Sequence, residues 1–169
     1  TARRWRKFRP ENSAGESLRW IVGSTTIIRG KSMIIIACVD DNMGMMFNRR
    51  RQSQDRVLRE HILEATKDSK LWMNHYSVKQ FSENNAPQIN VDDNFMSEAG
   101  NGEYCFVEDC DVTPYLRWIE KVILYRWNRR YPADQTFSVD LAEGGWKLVH
   151  TEDFAGSSHD KITEEIYTR

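Results

Sequence analysis

No apolar run in this 169-residue chain approaches the roughly 20 residues that a helix needs to cross a bilayer, so a membrane-spanning helix is excluded. Cysteine is scarce. The three residues present, Cys38, Cys105 and Cys110, lie in or beside apolar, strand-like runs and form no CxxC pair. An odd number in such settings describes reduced core thiols of a cytoplasmic protein rather than a disulfide frame, and it argues against a structural zinc site. There is no internal repeat, no low-complexity segment and no complete catalytic signature. The first 32 residues also lack an apolar segment followed by a small-residue cleavage site, the mark of a secretory signal. What is present, 40% apolar and 29% charged residues, is the composition of a soluble globular domain with a real core.

The formal net charge of −1 conceals an asymmetry. Residues 1–32 hold eight Lys/Arg against two Asp/Glu, whereas residues 33–169 hold sixteen against twenty-three. A basic arm on an acidic body can serve as a nucleic-acid or membrane tail. Because Met33 directly precedes the first clean strand, the expectation is instead that residues 1–32 lie upstream of the natural start or form a poorly ordered arm. Within that arm LRWIVGSTTIIRG needs a partner edge to become a hairpin. The domain expected is 33–169.

The stretch from Met33 to Asp55 organises the rest. Ile34 to Val39 reads as a buried strand, followed by Asp40-Asp41-Asn42, a Gly-and-Met loop and the run Arg49-Arg50-Arg51. A helix follows from a cap at Ser53 or Asp55 to about Thr66, with Val57, Leu58, Ile62 and Leu63 at helical spacing. Lys70–Met73 and Tyr104–Val107 are further buried strands. Asn74 opens a short helix, Thr113-Pro114 opens another, and Lys121–Trp127 is strongly β-prone. Strands near 136–139 and 146–151 follow without an intervening helix, and 161–167 fits either a capped helix or a closing strand. The fold class expected is α/β: a three-layer αβα domain with a mostly parallel central sheet and an antiparallel C-terminal edge.

Several constellations bear on function. Arg49, Arg50 and Arg51 with Arg56 and Arg59 form one cationic cluster, and Arg126, Arg129 and Arg130 form another. Together they suit a phosphate, a carboxylate or a nucleic-acid backbone, and a solvated face explains them as well. Asp40-Asp41, Asp92-Asp93 and Glu108 to Asp111 are paired carboxylates at strand ends, where turn chemistry and ligand binding compete as explanations. Ser157-Ser158-His159-Asp160 is not a triad by itself, because adjacent residues do not line up nucleophile, base and orienter.

The order of these pieces resembles dihydrofolate reductase. IIIACVDDNMG is similar to that family's opening strand and loop glycine, and Asp55 falls at its active-site carboxylate. SKLWMN is similar to the strand and cofactor turn. EYCFVED with KVILYRW, which contains Tyr125, is similar to the elements forming the nicotinamide face, and TFSVDLAEGGWKLVHTEDF with the closing ITEEIYTR is similar to the last hairpin. The resemblance implies NADPH as cofactor, a pteridine-like substrate gripped by Asp55, and ligand contacts from Asn74, His75, Glu108, Asp109 and Tyr125.

Departures from the pattern point the other way. Glu108-Asp109 replaces the adjacent glycines that let phosphates approach backbone N–H groups, and each carboxylate would repel a pyrophosphate by ~1 to 4 kcal/mol near a surface. Asn74-His75 replaces a Gly-Arg phosphate turn, and Arg50 to Ser53 replace a proline–tryptophan pair. The expectation is therefore altered or lost NADPH-dependent reductase activity, with a planar or phosphorylated small molecule bound at the C-terminal end of the sheet. An active small oxidoreductase and a nucleic-acid-binding or RNA-processing protein are the alternatives. The chain also resembles a set of short bacterial proteins that carry a tRNA-processing ribonuclease label. That label implies a His-x-His-x-Asp-His metal site, yet His61, His75, His150 and His159 never fall two apart, and no metal site is expected.

Overall fold

The computed structural model describes residues 32–169, together with the backbone of three upstream strands, β1 (Arg6–Phe8), β2 (Leu18–Val22) and β3 (Thr25–Arg29). These three pair in order as an antiparallel sheet, so LRWIVGSTTIIRG does form a hairpin, with β1 on its β2 edge. The remainder of the basic arm lies outside the described residues.

The apolar run beginning at Met33 forms β4 (Met33–Val39), a strand with apolar side chains on both faces, as interior parallel strands require. Ile35, Ala37 and Val39 point into one core, and Ile34 and Ile36 into the other. Full burial of each such isoleucine stabilises the fold by roughly 1.5–3 kcal/mol. After β4 come β5 (Gly44–Phe47), β6 (Arg50–Arg51), α1 (Arg56–Ala65), β7 (Leu71–Met73), α2 (His75–Val78), β8 (Ile89–Val91), α3 (Phe95–Glu98) and β9 (Tyr104–Phe106). The chain closes with β10 (Ile119–Arg126), β11 (Gln135–Thr136), β12 (Lys147–Phe154) and β13 (Ile162–Thr168).

The central sheet has seven strands in the order β12-β13-β10-β4-β9-β7-β8. Strands β10, β4, β9, β7 and β8 run parallel, and β13 enters antiparallel between β10 and β12. This is the three-layer α/β arrangement with an antiparallel C-terminal edge that the sequence leads one to expect. The ambiguous 161–167 segment is the closing strand. Helix α1 covers one face through Leu58 and Ile62, which join Ile34, Ile36, Phe106 and Tyr125. On the other face Phe95 and Met96 of α3 join Met45, Met46 and Trp146.

Four expectations change. The Gly-and-Met loop is a hairpin, β5 to β6, whose turn places Asn48 and Arg49 at positive φ (52° and 61°). Its methionines Met45 and Met46 are core residues, which a four-residue strand after a glycine does not advertise. Strand β11 pairs with β5, giving a second sheet ordered β11-β5-β6, and pairing ends at Thr136 rather than continuing to Val139. The helix expected after Thr113 is 3-10 over Thr113–Trp118, and β10 starts two residues before Lys121.

Candidate functional site

The candidate site lies at the C-terminal ends of the parallel strands, and Asp40 shapes it first. Its wholly buried carboxylate accepts hydrogen bonds from the N–H groups of Asn42, Gly44 and Tyr131 and from Gln52 Nε2. Burial alone would raise its pKa, but these four donors hold it below the ordinary carboxylate value. Asp40 is thus a structural anchor that fastens the β5–β6 hairpin to the 128–133 segment. Gly44 is required at that junction, because a Cβ there would lie 2.6 Å from both Ala133 Cβ and Gln52 Nε2.

Glu108 follows β9. Its carboxylate, only 8% exposed as a residue, receives Arg51 Nε at 2.9 Å and Nη2 at 3.1 Å, Ser77 Oγ at 2.8 Å and Gln80 Nε2 at 2.9 Å. The Arg51 guanidinium also lies over the Tyr76 ring at 4.4 Å, and the Arg51 N–H donates to the Tyr76 hydroxyl. The segment just after β9 is therefore closed by a bidentate ion pair from the chain itself.

Asp55 is closed in the same way. Its carboxylate caps α1 by accepting from Leu58 N–H, and it also accepts from the N–H and Oγ–H groups of both Ser157 and Ser158 and from His159 Nδ1 at 3.0 Å. Its side chain has no exposed surface. Burial pushes its pKa up, and the His159, Ser157, Ser158 and Leu58 donors outweigh that and hold it far below the ordinary value. Gly156 is what lets the 155–160 turn approach so closely, since a Cβ there would sit 2.5 Å from Asp55 Oδ2. The His159 ring is stacked on Trp127 at 4.5 Å, and its Nε2 faces Ser53 Oγ at 3.0 Å and Tyr131 Oη at 3.2 Å.

The other expected site residues scatter. Arg49 sits at the exposed hairpin turn and Arg50 beside it, with no ion-pair partner among the described residues. Asn74 caps α2 by accepting from Ser77 N–H, and its amide donates to Asp109. His75 is exposed and pairs with Asp93 at 3.0 Å. Tyr125, expected at a ligand, is instead fully buried, and its hydroxyl donates to Glu164 at 2.7 Å. Its ring serves the core beneath α1. The two arginine clusters do not share a mouth. Arg50 and Arg51 line one cavity with Phe47, Gln52, Tyr131 and Pro132, whereas Arg129 lines another with Asp41 and Lys161, and Arg126 pairs with Glu165.

Two groupings escape a reading of sequence spacing. Ser53, Asp55 and His159 converge across 104 positions through the turn before β13. His150, Glu152 and Glu164 converge because β12 and β13 place Glu152 opposite Glu164. Their donor atoms lie within 4.8 Å of one another, the one group among the described residues close enough to share a metal ion. Glu164 also accepts from His61 and Tyr125.

Sheet order and the antiparallel closing edge define an α/β protein of dihydrofolate reductase-like fold. A solved structure of dihydrofolate reductase from Enterococcus faecalis complexed with NADP(H) and RAB-propyl matches at TM-score 0.60 and 10% sequence identity, covering 82% of this chain and 96% of that one. Likeness at that identity carries fold and not activity. No protein-family model and no curated protein matches the chain. None of the described helices is long and apolar enough to cross a membrane.

Proposed function

We propose that this protein uses a dihydrofolate reductase-like fold for something other than NADPH-dependent reduction, and that it binds an anionic, ring-bearing small molecule at the C-terminal end of the sheet. The observation that carries this reading is the Arg51–Glu108 pair, whose side chains occupy the position to which the resemblance assigns phosphate approach. The sealed Asp55 supports it, since no lone pair is left facing solvent for a heterocycle. The neighbouring cavity, about 530 Å³, has the size of a small-molecule site. Phe47, 41% exposed, and Tyr131 offer ring faces, and Arg50 offers a cation with no ion-pair partner among the described residues.

A thermal-shift titration with NADPH, NADH, folate and a panel of nucleoside phosphates tests it. The expected outcome is no shift with either dinucleotide and a saturable shift with a phosphorylated ring compound, lost in Arg50→Ala. Ligand at 100 times its dissociation constant adds about 2.7 kcal/mol, a readable change. The solved neighbour was obtained with NADP(H), which makes NADPH the first compound to try. A saturable NADPH shift, with a folate shift abolished by Asp55→Asn, would restore the reductase reading.

A further inference from the structure

Ser53 and Asp55 lie two apart in the extended segment before α1, and Asp55 itself has φ −153° and ψ 129°. Residues two apart in extended chain project to the same side. His159 enters between them, with Nδ1 3.0 Å from Asp55 Oδ2 and Nε2 3.0 Å from Ser53 Oγ. An ionised carboxylate only accepts, so Nδ1 carries the ring proton and Nε2 presents its lone pair to Ser53. The imidazole and the carboxylate are almost wholly buried, at 2% and 0% side-chain exposure, while Ser53 and Tyr131 at the outer end are half-buried. The polar groups thus run from a sealed anion to an accessible hydroxyl, the arrangement that activates a serine.

Tyr131 completes the constellation. Its hydroxyl is 3.2 Å from the same Nε2, which has a single lone pair. When Ser53 donates to that lone pair, the Tyr131 proton is free for an incoming oxygen. Tyr131 also lines the cavity that holds Arg50, so the triad and the cavity meet at its ring.

We infer that Ser53, His159 and Asp55 act as a hydrolytic triad on a carboxylic ester or thioester, with Tyr131 as the oxyanion donor and Arg50 anchoring an anionic group on the substrate. Ser53 Oγ attacks the acyl carbon as its proton passes to His159 Nε2. The Tyr131 hydroxyl donates to the oxyanion of the tetrahedral intermediate. Collapse breaks the bond to the alcohol or thiol, which leaves with the proton from Nε2, and the acyl group stays on Ser53. Water then loses a proton to Nε2 and attacks the acyl carbon. Ser53 leaves, recovers that proton, and a carboxylic acid is released. Overall, one ester and one water give one acid and one alcohol or thiol. Asp55 touches no substrate and is a positioning residue that fixes the tautomer. The anchor at Arg50 rests on the ligand reading above, whereas the covalent chemistry at Ser53 does not.

The test is incubation of the full chain with a fluorophosphonate, read by intact mass and peptide mapping, beside turnover of p-nitrophenyl butyrate and the mono-p-nitrophenyl ester of succinate. The expected result is one phosphonyl adduct on Ser53, absent in Ser53→Ala, and turnover reduced about 100-fold in Tyr131→Phe. Both variants change partly exposed hydroxyls, and an unaltered melting temperature confirms their folding. Asp55→Asn, if folded, keeps Ser53 in place but lowers kcat far more than it raises KM. A purely structural role for Asp55 would not produce that split. No adduct on Ser53 in the folded wild-type protein, or an adduct that persists in Ser53→Ala, overturns the triad. An adduct with equal turnover of the two esters supports the triad and removes the Arg50 anchor, while the ligand reading is decided by the thermal-shift titration.

Discussion

Glu108 shows how much a single side chain decides here. Its charge is neutralised by Arg51 and its remaining lone pairs are taken by Ser77 and Gln80, so truncation leaves a half-buried guanidinium facing no anion. Glu108→Ala is expected to cost about 3 kcal/mol in urea unfolding, most of it from the unpaired Arg51. The double change Arg51→Met with Glu108→Leu is expected to recover most of that loss, because the cost lies in orphaning a charge rather than in lacking a pair. In the sequence Glu108 stands out only through the resemblance, which expects a glycine there. Its partner was not legible, because Arg51 is 57 positions away and reads as one of three equivalent arginines.

Among the elements, the apolar strand β4 and the capped helix α1 were legible, since each carries its own periodicity or cap, and the antiparallel edge followed from strands succeeding one another without a helix, whereas 161–167 by itself fitted helix and strand equally. The β5–β6 hairpin was not legible, because four residues are too short to show alternation and its turn uses non-glycine residues at positive φ. The contact of α1 with β13 also depends on register alone. There His61 Nε2 meets Glu164 Oε2 at 3.0 Å, with the His61 ring stacked on Phe154 at 4.3 Å. The bond to Glu164 raises the His61 pKa, and the bond to His61 lowers that of Glu164. The His61 contribution is complete below its unfolded pKa of about 6.5 and is lost as pH rises through the raised folded value. The Glu164 contribution is complete above its unfolded value of about 4.3 and is lost as pH falls through the lowered one. The difference in melting temperature between wild type and His61→Gln should therefore be largest near pH 5 to 6 and shrink above pH 7. A pH-independent difference would show that ring stacking, not charge, is what His61 supplies.

For the molecule as a whole, fold and site were not equally readable. Order of elements was enough to indicate a dihydrofolate reductase-like fold, and the structural comparison bears that out. The site depends instead on long-range convergence. Asp55 was recognisable as a helix-start carboxylate, but nothing in its neighbourhood foretold the turn of residues 155–160 that closes over it.

That turn has a consequence for the order of folding events. Apart from the Leu58 N–H within α1, the donors that satisfy Asp55 lie 102 to 104 positions downstream, so most of its carboxylate stays hydrated until β12 and β13 have docked. Contacts of such sequence separation form late, after loop closure has been achieved elsewhere. Their loss should therefore speed unfolding and leave refolding nearly unchanged. Ser157→Ala with Ser158→Ala removes two hydroxyl donors at the partly exposed rim and should cost about 1 kcal/mol, seen in a chevron plot as roughly fivefold faster unfolding. The closure over Asp55 thus acts as a latch on the finished molecule, setting how long the native state lasts rather than how quickly it is reached.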